Sequence, residues 1–294
     1  MNEIDLRHRR FLQVAPREHT RPFARISAGR LLKIMDDTAG KAANIYAGSI
    51  CMTRAIERID FKHPIRSDDA IDIETWVVRT GNTSLDVEIT VRGRDHHTHE
   101  IYEATRGLFT MVNVKRSFTG EFKAAPVPKL PASLDPIELE KRRDWVFKQV
   151  PLTPNPSPEG EGYALAVSVK EKLPPYEPYF GQEHRNHLGS VHGGNVLMEI
   201  DHVAHHYAMW MTQHPLFVTA AFGSVEFRKP ILPSMLVTME PLVEHVGSTS
   251  IGIGVNVFVQ SHEQPEKTLS HKGKVWLVAF DEQERKCKLP IKSD

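Results

Sequence analysis

The chain carries the stretch Ile59-Asp60-Phe61-Lys62-His63-Pro64-Ile65, which returns 166 positions later (225 minus 59) as Val225-Glu226-Phe227-Arg228-Lys229-Pro230-Ile231. Gly81-Asn82-Thr83-Ser84 returns at the same offset as Gly247-Ser248-Thr249-Ser250. An offset shared by separate segments indicates a duplicated domain, and this one is too long for a solenoid repeat. The 294 residues give room for two domains that each bury a core.

The composition argues against several classes of protein. The 37 Lys and Arg residues balance 37 Asp and Glu, so no net charge points to nucleic acid or to an anionic membrane. Cys51 and Cys287 lie far apart, which argues against a disulfide framework and fits a reducing compartment. The N-terminus lacks the apolar core of a signal peptide, and no run approaches a membrane span. We expect a soluble, cytoplasmic protein with no nucleic-acid or membrane partner.

Both units show the same order of elements, a helix followed by strands that alternate apolar and polar residues. The alternation is clearest from Leu85 to Val91 and from Ile251 to Val259. The predicted helices are about 29–46 and 194–211, and the predicted strands are about 51–61, 70–79, 83–92, 104–114, 217–228, 235–245, 249–260 and 273–281. Each helix has to cover the apolar face of an antiparallel sheet, which predicts the α+β class.

A stretch rich in proline and charge follows the first unit and predicts a linker. We place the two domains at 1–122 and 163–294, with the linker over 123–162. Its segment Pro151–Gly162 is dense in proline and glycine, which remove backbone donors and raise the entropy cost of folding. We interpret this segment as a mobile insertion.

Each predicted helix carries one aspartate on its apolar face. Asp36 falls on the face of Leu32 and Ala39, and Asp201 repeats this arrangement in the second helix. A carboxylate on an apolar face is costly unless it is paired or hydrogen-bonded, so its presence in both units indicates a partner or a catalytic role. The alternative is an aspartate that only accepts a hydrogen bond from a backbone amide.

His192-Gly193-Gly194 directly precedes the second helix. Paired glycines let a ligand approach the backbone, and the N–H groups at the positive end of a helix suit a carbonyl oxygen that gains negative charge. The sequence therefore predicts an oxyanion hole at Gly193 and Gly194, although a tight turn would use the same residues. Ser27-Ala28-Gly29 is a weaker version in the first unit.

Taken together, these motifs resemble the hotdog fold of acyl-CoA thioesterases. The segment from Ser27 to Asp36, with Asp60 and Phe61 downstream, is similar to the N-terminal half of the double-hotdog cytosolic acyl-CoA hydrolases. The resemblance covers most of both units and implies a tandem hotdog, in which each helix is wrapped by an antiparallel sheet. It also implies hydrolysis of acyl-CoA to a fatty acid and CoA, and assembly into a homo-oligomer, commonly a trimer of double hotdogs.

The resemblance further implies which residues act. The family pairs an Asp on one helix with an Asn six residues before the His-Gly-Gly position of the other hotdog; here these are Asp36 and Asn186. Asp36 would be a general base toward water, or a nucleophile, while Asn186 orients the water or substrate and His192 belongs to the same site. Arg21 stands where the second site needs its amide. We therefore expect one working site, with the Asp201 site degenerate or kept for binding.

Polar and cationic residues at strand ends and turns are candidates for binding the CoA part of the substrate, with ordinary solvated side chains as the alternative. These candidates are Arg58, Lys62, Thr83, Ser84, Arg228, Lys229, Thr249 and Ser250. We expect no cofactor apart from CoA itself and no metal. The histidine clusters at 202–206 and 96–99 lack a zinc-site pattern.

Two other functions fit the same residues. A hotdog enoyl-CoA hydratase needs an Asp and a His on one loop, and His187 and His192 lie close enough in sequence to supply the histidine. A non-catalytic acyl-CoA-binding protein would use the duplication only to form a groove. The chain has no Gly-x-Ser-x-Gly motif, so a nucleophilic serine of that type is not indicated.

Overall fold

The computed structural model describes residues 5–16, 24–116, 122–130 and 174–290. In these ranges the chain forms two units, each with one 20-residue helix and an antiparallel sheet that wraps it. The predicted α+β architecture, a tandem of helix-and-sheet units, is confirmed. No helix in the described ranges is long and apolar enough to cross a bilayer.

The first unit contains β1 (His8–Val14), α1 (Ala28–Ala47), β2 (Cys51–Ile56), β3 (Ile59–Asp60), β4 (Ala70–Thr80), β5 (Ser84–Arg94), β6 (Ile101–Arg116) and β7 (Phe122–Ala124). The second contains a short 3-10 helix (Gln182–His184), α2 (Gly193–Thr212), β8 (Phe217–Phe222), β9 (Val225–Glu226), β10 (Leu236–Val246), β11 (Ser250–Gln260) and β12 (Thr268–Ala279). Both helices and the main strands lie where the periodicity predicts them, within a few residues.

The repeated stretch is where the two units exchange strands. The first sheet has the order β1-β4-β5-β6-β2-β9, with β7 on β6, and the second has the order β10-β11-β12-β8-β3. Thus β3 pairs with the second unit, Ile59 opposite Phe222, and β9 pairs with the first, Val225 opposite Ile56. The predicted strand at 51–61 is therefore two strands, β2 and β3, and the one at 217–228 is β8 and β9, with one strand of each pair in each sheet. Because each sheet contains a strand of the other unit, the two units fold against each other.

Two strands lie outside the sequence prediction. β1 pairs with β4 at the edge of the first sheet, with His8 opposite Trp76. Leu12 and Val14 of β1 are 74% and 66% exposed, so burial imposes no alternating pattern on this strand. β7 is only three residues long, which is too short for a periodic signal.

The first unit extends beyond the predicted boundary at residue 122. Val127 is buried and its amide donates to the carbonyl of Asn82, while the Asn113 side chain donates to the carbonyl of Pro126. Residues 123–130 therefore pack on the first unit, whereas the prediction assigned them to the linker. The rest of the predicted linker, including the Pro151–Gly162 insertion, lies outside the described residues.

The N-terminal turns of α1 and α2 pack side by side in opposite directions. A Cβ atom added to Gly194 would lie 2.9 Å from the Cα atom of Lys33, and one added to Gly29 would lie 3.0 Å from the Cα atom of Met198. Both distances are to backbone atoms that a side-chain rotation cannot move. The two helices approach this closely because each contributes a glycine at the contact.

This contact predicts opposite effects for two Gly-to-Ala substitutions. Gly194→Ala should lower the free energy of unfolding by ~1–3 kcal/mol, the usual cost of overpacking. Gly40→Ala is the matched control: a Cβ there meets nothing within 4 Å, and alanine's higher helix propensity should raise stability by up to ~1 kcal/mol. Urea unfolding followed by circular dichroism measures both. Equal shifts in the two variants would contradict the close contact.

Candidate active site

Asp36 lies on α1 at the interface with the second unit. Its carboxylate is buried, 1% exposed, and accepts hydrogen bonds at both oxygens. The Thr53 hydroxyl donates to Oδ1 at 2.6 Å, and the Gly194 amide at the start of α2 donates to Oδ2 at 2.7 Å. Because one donor comes from each unit, the surroundings of Asp36 are built from both units. The helix N-terminus also places positive potential beside the carboxylate.

Asp201 occupies the equivalent place on α2. The Gly29 amide donates to its Oδ2 at 3.0 Å, and the Thr219 hydroxyl donates to its Oδ1 at 2.6 Å. The two aspartates therefore have matching surroundings. Thr53 and Thr219 are not among the predicted site residues, although the offset of 166 that relates the repeated stretches also relates these two threonines.

His192 is the N-cap residue of α2 and bridges two carboxylates of the first unit. Its Nδ1 lies 3.1 Å from Asp36 Oδ2, and its Nε2 lies 3.2 Å from Asp37 Oδ1. A protonated ring donates to both, whereas Nδ1 of a neutral ring can accept from the Gly194 amide 3.2 Å away. Asp37 thus joins the site, although its four-residue spacing from Lys33 and Lys41 is typical of a solvated ion-paired stripe on a helix.

Burial and the neighbouring charges have opposing effects on the pKa of His192. Burial disfavours the charged ring, but the hydrogen bond to Asp36 and the charges of Asp36 and Asp37 outweigh burial and raise the pKa above its ordinary value; Lys33 opposes the rise. The ion pair therefore stabilises the fold fully below the unfolded pKa of about 6.5. That contribution is lost as the pH rises through the higher folded pKa.

The main-chain amides of Gly193 and Gly194 differ in their hydrogen bonding. The Gly194 amide is already engaged by Asp36, so it positions the carboxylate. Gly193 is the first residue of α2, and its amide has no acceptor within the helix. Phe227 and Asp36 flank it, since a Cβ added at Gly193 would lie 2.9 Å and 3.1 Å from their nearest atoms. Of the two amides expected to bind an oxyanion, Gly193 is the one this geometry leaves available.

Asn186 lies in the loop before α2, where its side chain stabilises a turn. Its Oδ1 accepts from the Leu188 amide and its Nδ2 donates to the Ser190 hydroxyl, both at 2.9 Å. These local bonds would have to change for Asn186 to meet a substrate. His187 in the same turn is exposed. Arg21, the residue that stands in the amide position of the second site, lies outside the described residues.

A cavity of about 950 Å³ opens beside the Asp201 site. Ser27 and Ala28 at the start of α1, Thr219 on β8 and His205 on α2 line its polar part. Met198, Met209, Phe217 and Phe280 are among its apolar lining, and Arg30 and Lys62 are among its cations. An apolar cavity of this size with a few polar groups is typical of a small-molecule site.

The candidate substrate-binding residues do not come together. Lys62 lines the cavity and also contacts Glu103 at 2.7 Å, whereas Arg58 lies over the Trp276 ring and pairs with Asp60. Arg228 and Lys229 are exposed on the segment after β9. The remaining candidates lie where the hairpins enter β5 and β11. The main-chain oxygens of Ser84 and Ser250 accept from the Gly81 and Gly247 amides and close the turns. Those of Thr83 and Thr249 accept from the Asn113 and Ala279 amides.

The histidine clusters and the buried Cys51 do not form a reactive site in the described part of the chain. No group of three or more metal-binding side chains occurs in that part of the chain. His96 instead hydrogen-bonds the buried Asp69 at 3.1 Å. Burial raises the pKa of Cys51 to about 12, so its thiolate is scarcely populated at neutral pH.

Comparison with known proteins places these features in a family. The thioesterase superfamily matches the chain twice, over residues 23–99 and 188–266. A Rattus norvegicus protein named acetyl-coenzyme A thioesterase is 26% identical over 90% of this chain and 50% of its own length. A Mus musculus protein named acyl-coenzyme A thioesterase 11 is 25% identical over 92% of this chain and 47% of its own length. The chain thus spans about half the length of these curated relatives.

A solved structure supports the fold. The 12:0-ACP thioesterase from Umbellularia californica aligns with 92% of this chain and 96% of its own, with a TM-score of 0.57 and 11% sequence identity. At that identity the similarity concerns the fold.

The His192 bridge predicts a measurable titration. The pKa of His192 should lie above 6.5, and Asp37→Asn should lower it, because one of the two carboxylates that favour the charged ring is then neutral. Proton NMR of the imidazole signals against pH measures the shift, with the exposed His262 as an internal reference. A pKa of His192 that is unchanged in the Asp37→Asn variant would contradict the bridge.

Proposed function

The chain belongs to the thioesterase superfamily, and from that membership we propose that it hydrolyses acyl-CoA thioesters to a carboxylic acid and CoA. The observation that carries the proposal is the buried Asp36 carboxylate, held between Thr53 and the N-terminus of α2 beside His192. A buried acid next to a titratable base at a helix N-terminus suits acyl transfer to water. The names of the relatives that cover about 90% of the chain favour CoA as the thiol.

In the proposed reaction Asp36 acts as the general base. Its oxygens already accept from Thr53 and Gly194, but a carboxylate has further lone pairs and can take a proton from water. The oxygen of that water bonds to the thioester carbonyl carbon as the carbon–sulfur bond breaks. The proton passes to the CoA sulfur, so acid and thiol are formed in equal amounts.

The remaining residues assist this step. The Gly193 amide stabilises the oxyanion, because it points from the positive end of α2 and has no acceptor within the helix. His192 holds the Asp36 carboxylate through its 3.1 Å contact and moves a proton between carboxylate and leaving group. Asn186 orients the water or substrate after its turn opens. The polar candidates Arg58, Lys62, Thr83, Ser84, Arg228, Lys229, Thr249 and Ser250 contact the CoA moiety.

No cofactor besides the CoA of the substrate takes part in this proposal. Water and the chain's own acid, base and amide groups suffice for the hydrolysis of a thioester. We place the protein in the cytoplasm, because Cys51 and Cys287 are free thiols and suit a reducing compartment.

We also propose a homo-oligomer, a trimer of double hotdogs. The long strands β5 and β11 are the two candidates for the contact, but Asp86 and Glu88 of β5 are already buried beneath Arg79 and Arg106. The outward face of β11 is therefore the better candidate. Multi-angle light scattering should give three times the mass of one chain. A monomer mass with full activity would contradict the oligomer.

Substitution of Asp36 tests the proposed reaction. Because a second aspartate site is present, the comparison is best made in Asp201→Asn protein, where adding Asp36→Asn should lower the rate of CoA release by about a hundredfold to ten-thousandfold, the usual contribution of a positioned base. A thiol reagent follows the release from a series of acyl-CoAs. Glu263→Gln, an exposed loop substitution, is the control. An equal rate with and without Asp36 would rule out its role, and no release by the unsubstituted protein would favour the non-catalytic binding function.

A further inference from the structure

The duplication leaves the two aspartate sites with different residues beside them. The offset of 165 that relates Asp36 to Asp201 (201 minus 36) also relates three further pairs near the sites, which are Ser27 and His192, Asp37 and His202, and Gly40 and His205. The Asp36 site therefore has a histidine at the N-cap of the opposite helix and an acid next to its aspartate. The Asp201 site has a serine and a histidine in these two places.

Asp37 pairs with His192 of the other unit and not with the lysines on its own helix. Its Oδ1 lies 3.2 Å from His192 Nε2. Lys33 and Lys41 stand four residues to either side, yet in the described part of the chain neither forms an ion pair with Asp37. Because a lysine at this spacing is the usual partner of an acid on a helix, the contact across the units takes the place of the local pairs.

A hydrogen bond at the start of α2 determines where the neutral His192 ring carries its hydrogen. The Gly194 amide donates to Nδ1 at 3.2 Å, so in the neutral ring Nδ1 has the lone pair and Nε2 carries the hydrogen. Nε2 then presents this hydrogen on the side of Asp37, while Nδ1 lies 3.1 Å from Asp36 Oδ2. The nitrogen nearest the general base is therefore the one that can accept a proton.

Exposure rises from the general base to Asp37. The side chain of Asp36 is completely buried, whereas those of His192 and Asp37 are 29% and 38% exposed. Nδ1 can accept a proton from the buried carboxylic acid, and the partly exposed ring can pass it on. The imidazolium formed in this way lies between two carboxylates, which stabilise its charge, and Lys33 on α1 opposes them.

We propose that Asp37 is a positioning residue of the Asp36 site, which holds His192 with Nδ1 toward Asp36 and stabilises the imidazolium that forms during turnover. This inference rests on the proposed function of the chain. The proton moves from water to Asp36 Oδ2, then to His192 Nδ1, and finally to the CoA sulfur as the carbon–sulfur bond breaks. Ser27 stands in the place of His192 in the Asp201 site, and a serine hydroxyl does not accept a proton from a carboxylic acid. The inference therefore concerns the Asp36 site alone.

The dependence of kcat on pH tests this role in Asp201→Asn protein, where only the Asp36 site keeps its aspartate. Because the ring must be neutral to accept a proton from Asp36, kcat should rise with pH as His192 loses its proton. Asp37→Asn should lower kcat at high pH by about tenfold, less than the loss of a positioned base itself, with KM little changed. It should also move the rise in kcat to lower pH, since Asp37 favours the charged ring.

Two further variants separate this role from a merely structural one. Asp37→Glu keeps the charge and should retain most of the rate and the same pH profile. Glu263→Gln removes an exposed charge from a distant loop and should leave both unchanged, and circular dichroism verifies that each variant is folded. A lower kcat in the Asp37→Asn variant with an unmoved pH profile would show that Asp37 only supports the structure, and would overturn the proposal.

Nitrogen-15 NMR of the histidine side chains tests the ring independently of activity. Above the pKa of His192, Nδ1 should give the signal of a nitrogen without hydrogen, and Nε2 that of a nitrogen that carries one. The opposite assignment overturns the inference. Equal kcat values with and without the Asp37 charge overturn it alone, whereas no release of CoA by the unsubstituted protein overturns both this inference and the proposed function.

Discussion

The close approach of α1 and α2 is the constraint on which the rest of the structure depends. Gly29 and Gly194 let the two helices meet backbone to backbone, and each aspartate then reaches the first turn of the other helix. Burial of a carboxylate is costly, but an amide, a hydroxyl and the positive end of a helix together offset that cost. A bulkier residue at either glycine would separate the helices and leave both carboxylates without their amide donors.

Strand exchange links the sheets in the same reciprocal way. The repeated stretch sends β3 into the second sheet and β9 into the first, so neither sheet is complete within its own unit. Thr53 on β2 and Thr219 on β8 lie shortly before the exchanged strands β3 and β9. The exchange therefore also positions the hydroxyls that donate to Asp36 and Asp201. Sheet pairing and site geometry are thus two consequences of one repeated segment.

Periodicity predicted the elements whose burial is regular and not those whose burial is irregular. The alternation of apolar and polar residues in β5 and β11 and the apolar faces of both helices give the sequence a periodic signal there. In β5 the polar residues are buried as well, because Arg79 and Arg106 cover Asp86 and Glu88. β1 and residues 123–130 pack as an edge strand and a surface segment, where burial imposes no period. The pairing of Asp36 with the other unit was expected from the resemblance to the hotdog family. The His192–Asp37 contact was not, because spacing on one helix does not report the approach of another.

Duplication also explains how the two sites came to differ while the scaffold stayed the same. The N-cap of a helix needs an acceptor, and both the Ser27 hydroxyl and the His192 ring provide one, so either residue can begin its helix. Gly40 faces open space and His205 fills the equivalent place, so a histidine can sit four residues after either aspartate without disturbing the helix contact. Each aspartate accepts hydrogen bonds from a threonine of its own unit and from an amide of the other unit, so few substitutions preserve these contacts. His192 contacts two carboxylates of the first unit, whereas His205 contacts the main chain of its own helix, so the two sites differ in their histidine.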